Sequence, residues 1–239
     1  MIIERHRTAL TAAQAEQVAR QFALHVKCDK PQSIDSIPLD SGIDLEGLEI
    51  HPGVLRPMSS KRLAAFLYRN REMLDSKEVI DIGSGCGLQG IVAALYGASR
   101  VILSDLTVEA WRNTSENISR FDVTEKCESR RGDLFEKIPE SGDIVIFAQP
   151  YFAGCPDPRY PFTYGMLDEG ELIHRFFEQA KAHVRERILM TYLDLAGDVN
   201  NPRVQGPKHG YRVIEHGPEI LTTGEQRGLF WVHELTLRH

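Results

Sequence analysis

The chain has 239 residues, of which 42% are hydrophobic and 26% charged, and its formal net charge is −6. This length is enough for one large α/β domain with a short extension, or at most two small domains. The composition is typical of a soluble globular protein whose core needs no metal or disulfide to fold. No apolar run approaches the ~20 residues of a membrane-spanning helix, and an acidic chain disfavours sequence-blind nucleic-acid binding. The cysteines form no CxxC pair, so we expect reduced thiols in a cytoplasmic protein; they are Cys28, Cys86, Cys127 and Cys155.

The N-terminal quarter shows one helical pattern and several turn signals. Thr8 to Val26 has helical periodicity with Thr11 as a plausible N-cap, and Lys30 to Gly47 is predicted to be a loop. Leu48 to Leu55 is predicted to be a short strand and Ser59 to Asn70 a helix. We therefore divide the chain into an extension, 1–58, that covers the site or recognises substrate, and a main domain, 59–239. Several cations lie close together here and are interpreted as a solvated helix face: Arg56, Lys61, Arg62, Arg69 and Arg71.

From Glu78 onward, buried strands alternate with helices, which is typical of a parallel sheet covered on both faces. The predicted strands are Val79–Ile82, Val101–Asp105, Cys127–Arg131, Asp143–Ala148 and Arg187–Leu193; the helices between them include Leu88–Tyr96 and Glu169–Val184. Two further strands, Tyr211–Ile220 and Gly228–Leu237, have only a turn between them and should pair antiparallel. The predicted fold is a Rossmann-like, seven-stranded, mostly parallel sheet with a C-terminal antiparallel hairpin.

A glycine-rich turn, Asp81 to Leu88, follows the first of these strands and opens a helix. Such a turn exposes backbone N–H donors to a ligand at the carboxyl edge of the sheet. Gly85, Gly87 and Gly90 satisfy the dinucleotide pattern GxGxxG, with Asp105 twenty residues after Gly85. The alternative pattern starts at Asp81, an anion that suits a ligand with ammonium and sulfonium charges, namely S-adenosylmethionine.

Two later segments follow strands that end at the same edge. Asp133 and Leu134 follow the third strand, where an acid could accept from an adenine amino group or simply cap a helix. Gln149 and Tyr151, in Gln149-Pro150-Tyr151, follow the fourth strand; there an aromatic face could sandwich a flat substrate group or belong to the core.

The order VIDIGSGCG, SD, GDLF, DIVIFAQPYF resembles class I methyltransferases, and most the group that includes release-factor glutamine and RNA-base N-methyltransferases. The resemblance covers roughly residues 48–184 and implies S-adenosylmethionine as cofactor. It implies cofactor contacts by a set of residues distributed over the three turns: Asp81, Gly83, Gly85, Gly87, Asp105, Leu106, Asp133 and Leu134. Ser60 stands where the family packs a Thr or Ser near the cofactor, and Gln149 and Tyr151 are implied as catalytic residues that border the acceptor.

One departure concerns the acceptor. The family's fourth motif is usually Asn-Pro-Pro-Tyr; an ungapped match puts Ala148 at the Asn, and a one-residue slip puts Gln149 there. We therefore expect a positioning site for methyl transfer and favour a small-molecule acceptor, with a protein amide or nucleobase nitrogen as alternatives. If a base is needed, His51 and His174 are candidates, although each is typical of an ordinary surface or core histidine.

Two other functions remain open from sequence. A catalytically inactive S-adenosylmethionine-binding protein would keep the glycine turn, and an NAD(P)-dependent dehydrogenase would have a sixth parallel strand in place of the hairpin.

Overall fold

A computed structural model of the protein describes residues 11–27, 30–223 and 226–238. The strands are β1 Gln32–Asp40, β2 Ile43–Ile50, β3 Glu78–Ile82, β4 Arg100–Asp105, β5 Cys127–Arg131, β6 Gly142–Phe147, β7 Phe152–Ala153, β8 Leu167–Asp168, β9 Val184–Leu193, β10 Tyr211–Thr223 and β11 Gln226–Leu237. The α-helices are α1 Ala12–His25, α2 Lys61–Arg69, α3 Leu88–Leu95, α4 Val108–Arg120, α5 Glu171–Ala180 and α6 Pro202–Gln205. Residues 8–10 of the first predicted helix, and Cys28, lie outside the described residues.

The main sheet has seven strands in the order β10-β11-β9-β6-β3-β4-β5. The five strands from β9 to β5 are parallel, and β11 runs antiparallel to both β9 and β10. This confirms the predicted seven-stranded, mostly parallel sheet and its C-terminal hairpin. The hairpin also removes the parallel sixth strand that a dehydrogenase reading requires.

The first helix begins where the sequence predicts. Thr11 extends its backbone at φ −65°, ψ 161° and accepts from the Gln14 backbone N–H, while Gln14 Oε1 accepts from Thr11 N at 2.9 Å. This reciprocal capping box satisfies two N–H groups that a helix end otherwise leaves free.

The prediction of a loop over Lys30 to Gly47 is wrong, because β1 and β2 form a two-stranded hairpin there. Ile37 and Leu39 alternate with exposed residues and are each 1% exposed, so the segment has one apolar face. Pro38 lies in a strand with a single partner, where a missing N–H is tolerated. The strand predicted from Leu48 to Leu55 consequently begins at Ile43 and ends at Ile50.

The hairpin packs into the core of the main domain. Its apolar face joins a cluster with side chains of α2, α3 and the central strands, among them Leu63, Leu67 and Leu88. A second cluster fills the opposite face of the sheet beneath α5, with Phe176 and Phe177 fully buried. Within the described residues, we find no helix with both the length and the apolar character to cross a membrane.

Candidate functional site

The carboxyl ends of the parallel strands open onto a cavity of about 370 Å³. Ligands of open α/β sheets bind in this position. The glycine turn and the ends of β4, β5 and β6 form one wall of this cavity. Its residues are Gly83, Ser84, Gly85, Cys86, Asp105, Leu106, Asp133, Leu134, Phe147 and Ala148. The sequence predictions therefore converge on a single concave surface, although not every predicted residue reaches it.

Three glycines of the turn, Gly83, Gly85 and Gly87, have positive φ. Gly85 has φ +59°, and a Cβ placed on it would meet no atom within 4 Å, so its backbone is open to the cavity. Gly90 has a different role, since a Cβ there would lie 2.4 Å from the Leu103 side chain on β4. Because Gly90 lets α3 approach the sheet closely, the N-terminus of α3 lies next to the cavity.

Helix α4 holds the turn from below. The Thr114 hydroxyl donates to the Gly85 carbonyl at 2.9 Å, and Asn117 Nδ2 donates to the Cys86 carbonyl at 2.9 Å. Asn117 also joins the turn to the hairpin, because its Oδ1 accepts from the Glu49 N–H at 3.1 Å. These bonds satisfy carbonyl groups of the turn, which also bonds to β4 through the Ser84 N–H and the Ser104 carbonyl at 3.0 Å.

Asp81 lies behind the turn and does not line the cavity. It is 1% exposed, and its Oδ2 accepts from the Gly90 N–H at 2.9 Å. Burial raises the pKa of Asp81 to about 7, against its ordinary value of 3.8, and the neighbouring Asp105 charge adds to the effect. Gly87 lies at the start of α3 and likewise does not form the wall.

Asp105 ends β4 at the cavity wall. Its Oδ2 accepts from the Gly85 N–H at 3.0 Å, and its Oδ1 accepts from the Thr107 N–H at 3.0 Å and from the Thr107 hydroxyl at 3.1 Å. Burial raises the pKa of Asp105, and these hydrogen bonds lower it. The carboxylate is thus fixed in orientation before any ligand binds, while carboxylate oxygens retain capacity for further donors.

Asp133 lies across the same cavity. Its Oδ2 is 2.5 Å from Arg175 Nη2 on α5, and both residues line the wall. Leu134 follows with φ +51°, which turns its backbone toward the cavity side of the sheet edge. Asp133, the acid predicted to accept from an adenine amino group, is therefore already paired with Arg175.

A second cavity of about 250 Å³ adjoins the first. The residues that line both are Leu55, Arg56, Ser60, Ala148 and Gly165. The predicted catalytic residues Gln149 and Tyr151 line the second cavity and do not line the first. From α1, Gln17 and Gln21 complete the wall of the second cavity.

Gln149 and Tyr151 are held by the neighbouring strand β9. Gln149 Nε2 donates to the Thr191 carbonyl at 2.6 Å, whereas its Oε1 is buried without a partner. The Tyr151 hydroxyl donates to Thr191 Oγ1 at 2.7 Å, and burial raises its pKa. Ala148, not Gln149, is the residue at the boundary between the cavities, which matches the ungapped alignment.

Neither candidate base lines either cavity. His51 Nε2 is 3.1 Å from Glu116, and His174 Nδ1 is 2.7 Å from His209 Nε2. Sequence reasoning missed Asp168 of β8, which lines the first cavity with a buried, unpartnered Oδ2. Its position depends on pairing of β7 with β8, two strands too short to show a pattern.

Comparison with known proteins gives a consistent class. A family model described as lysine methyltransferase matches residues 56–147. A Methanocaldococcus jannaschii protein that bears the provisional name protein N5-glutamine methyltransferase is 28% identical over 151 residues, which cover 60% of this chain and 74% of that protein. The human electron transfer flavoprotein beta subunit lysine methyltransferase is 24% identical over 178 residues, covering 70% of this chain and 57% of that protein, so the match spans less than two thirds of the human relative.

Solved structures share the fold. The ribosomal protein L11 methylase of Lactobacillus delbrueckii subsp. bulgaricus superposes with a TM-score of 0.53 at 16% identity, covering 80% of this chain and 84% of that chain. At this identity the likeness concerns the fold alone.

Proposed function

Since the chain is a class I S-adenosylmethionine-dependent methyltransferase, we propose that it methylates an uncharged carboxamide nitrogen of a protein side chain. The observation that carries this proposal is the second cavity. It adjoins the first across Ala148, measures about 250 Å³, and has three cationic side chains and no acidic one among its described lining residues.

The first cavity fits the cofactor. Its open Gly85 backbone and four acidic side chains suit a ligand that carries more positive than negative charge; the acids are Asp105, Asp133, Asp168 and Glu171. When bound, S-adenosylmethionine supplies a methyl group already activated by a positively charged sulfur. In this proposal Gly83 and Gly85 hold its methionine end and Asp105 the ribose hydroxyls.

The remaining predicted contacts are assigned by position. Asp133, Leu134 and the exposed Leu106 surround the adenine, with Asp133 shared between its amino group and Arg175. Asp81 and Gly87 act from behind the wall, since Asp81 fixes Gly90 and Gly87 starts α3. Their contribution is to hold the turn in shape.

The charge of the second cavity favours a neutral acceptor. Arg56, Lys61 and Arg62 line it, and a lysine ammonium among them would be destabilised because like charges disfavour the charged form. A carboxamide is neutral and carries no such cost. The unpartnered Gln149 Oε1 can accept a hydrogen bond from the N–H of the carboxamide substrate, and the Tyr151 ring provides an apolar wall.

The size of the second cavity favours a side chain over a free metabolite. Its volume is below the ~300 Å³ at which pockets for whole small molecules begin. The relatives reported above are named for protein acceptors. The expectation of a small-molecule acceptor is therefore not supported. Gln17, Gln21 and Leu55 reach this cavity from the extension 1–58, which supports a role of that segment in substrate recognition.

A lysine acceptor is the second candidate. The family model over residues 56–147 and the human relative favour it. A lysine accepts the methyl group as the neutral amine, and a cationic cavity favours this form because it lowers the pKa of an amine. The two acceptors differ in the chemistry of their products.

The test is product analysis with methyl-labelled cofactor. The enzyme is incubated with a cell extract, and the label is followed through protease, ribonuclease and acid hydrolysis. We expect protease-sensitive label that acid releases as methylamine, because a methylated carboxamide hydrolyses. Label that survives as methyl-lysine would support the second candidate, and ribonuclease-sensitive label would contradict both. The Asp105→Asn variant serves as the control for label introduced by other enzymes.

A further inference from the structure

The wall of the second cavity on the α2 side is cationic. Lys61 and Arg62 form the first turn of α2, and Arg56 lies in the loop that leads to it. The N-terminus of a helix carries partial positive charge, which adds to the positive potential of cationic side chains placed there. Among the described residues that line this cavity, nothing acidic opposes these three cations.

Arg62 is held in place with part of its hydrogen-bonding capacity unused. Its Nε lies 3.3 Å from Glu219 Oε2, and its guanidinium carbon lies 5.9 Å from the centre of the Phe230 ring. Its Nη1 is buried and has no hydrogen-bond partner. A buried charged donor without a partner is unfavourable, so a ligand oxygen at this point is favoured.

The other cations are also available. Lys61 has no ion-pair partner among the residues that the structure describes, and the Arg56 guanidinium donates only to the neutral amide of Gln32. Glu219, which pairs with Arg62, is shared with Arg69 at 2.9 Å. The local charge balance therefore leaves room for one anionic group.

The surroundings favour a carboxylate over a nucleic-acid backbone. A nucleic acid needs a row of free cations, but Arg69 is paired with Glu219, and Arg71 lies over the Tyr68 ring at 4.9 Å. The whole chain carries a net charge of −6. These facts are compatible with one anion in a small cavity and unfavourable for a polyanion along the surface.

From these contacts we infer that the enzyme recognises an acidic residue adjacent to the methylated residue of its protein substrate, with Arg62 and Lys61 binding that carboxylate. The inference rests on the proposed function, because it takes the second cavity as the acceptor site. It goes further by stating which sequence around the acceptor is selected.

Peptide binding tests the inference without methyl transfer. Calorimetry on the full chain loaded with S-adenosylhomocysteine compares acetyl-Glu-Gln-Glu-amide with acetyl-Gln-Gln-Gln-amide, which places an acid on either side of the central residue. We expect the acidic peptide to bind at least tenfold more tightly. In Arg62→Gln and Lys61→Gln the preference should fall below threefold, since each variant removes one cation from the cavity.

Arg212→Gln is the matched control, because Arg212 is an exposed cation on β10 that lines neither cavity; it should keep the full preference. Thermal unfolding of each variant shows whether Arg62→Gln is correctly folded. If Arg62→Gln is misfolded, the peptide preference of Lys61→Gln decides the test. Equal affinity of the two peptides, no binding of either, or a preference kept in both cavity variants overturns the inference. A five-nucleotide RNA that binds more tightly than the acidic peptide, and depends on Arg62, also overturns it.

Failure here is distinct from failure of the proposed function. Methyl-lysine as product together with a retained acid preference would refute the carboxamide acceptor alone. Methylamine release together with equal peptide affinities would refute the carboxylate site alone.

Discussion

The Gly85 N–H donates to Asp105 Oδ2 at 3.0 Å, so the turn after β3 and the end of β4 are joined directly across the cavity floor. The link orients the carboxylate and the turn as one unit, which reduces the ordering that ligand binding requires. A substitution at either residue is therefore expected to change the orientation of the other.

Asp105→Asn is expected to weaken cofactor binding at least tenfold. The substitution replaces one acceptor oxygen with an NH₂ group, and that group opposes either the Gly85 N–H or the Thr107 donors. Calorimetry with S-adenosylhomocysteine measures the change. Asp122→Asn is the control, because Asp122 is exposed at φ +54°, a conformation that Asn accepts. An unchanged affinity in Asp105→Asn would remove the ribose assignment.

Asp81→Asn is expected to stabilise the protein in a pH-dependent way. The pKa of Asp81 is about 7 when folded and near 3.8 when unfolded, so the wild type is most stable relative to the variant below pH 4 and loses that stability as pH rises to 7. Between pH 5 and pH 8, the free energy of unfolding of the variant should gain about 2–3 kcal/mol on the wild type. Urea unfolding at both pH values measures this, and a pH-independent difference would refute it.

Asp81→Asn should weaken cofactor binding less than Asp105→Asn does. Asp81 lies behind the turn, and an Asn Oδ1 can still accept from the Gly90 N–H. Calorimetry on both variants gives the comparison. The opposite order of effects would place Asp81 in direct contact with the ligand.

Tyr151→Phe is expected to lower kcat by about tenfold while the cofactor Kd stays unchanged, because Tyr151 lines the second cavity and not the first. Loss of the hydroxyl bond to Thr191 at 2.7 Å should cost about 1 kcal/mol of stability. Initial rates, calorimetry and urea unfolding separate the three quantities. Tyr68→Phe, which changes a tyrosine remote from both cavities, should leave the rates alone.

Arg130→Met is expected to reduce stability by about 1–2 kcal/mol without affecting cofactor binding. Arg130 is 17% exposed and contacts Glu128 at 2.7 Å and Glu140 at 2.7 Å, and these bonds hold the pKa of Glu140 at about 2. Urea unfolding in low salt and in 1 M NaCl measures the effect, which should shrink in salt. Lys137→Met is the exposed control and should change stability little.

The sequence predicted the sheet well where its signals are local. Local signals determine the conformation of residues close to them in the chain. They include the near-continuous apolar runs at β3, β4 and β6, the capping residue Thr11 and the glycines of the turn. The β1–β2 hairpin escaped prediction because Pro31, Pro38 and Gly42 were interpreted as turn signals, although Pro38 lies within β1. Its apolar face becomes evident only against α2 and α3.

The sequence by itself determined the parallel strands, the C-terminal hairpin and the glycine turn. It also determined that Asp105 and Asp133 lie at one edge, because parallel strands end on the same side. Only the tertiary structure decided which acids line the first cavity: Asp81 lies behind the turn and accepts from the Gly90 N–H, whereas Asp105 is part of the cavity wall. It also decided the second cavity, whose wall joins α1, the start of α2, the ends of β6 and β9, and β10. Residues so distant in the chain acquire a common chemistry only when packing brings them together.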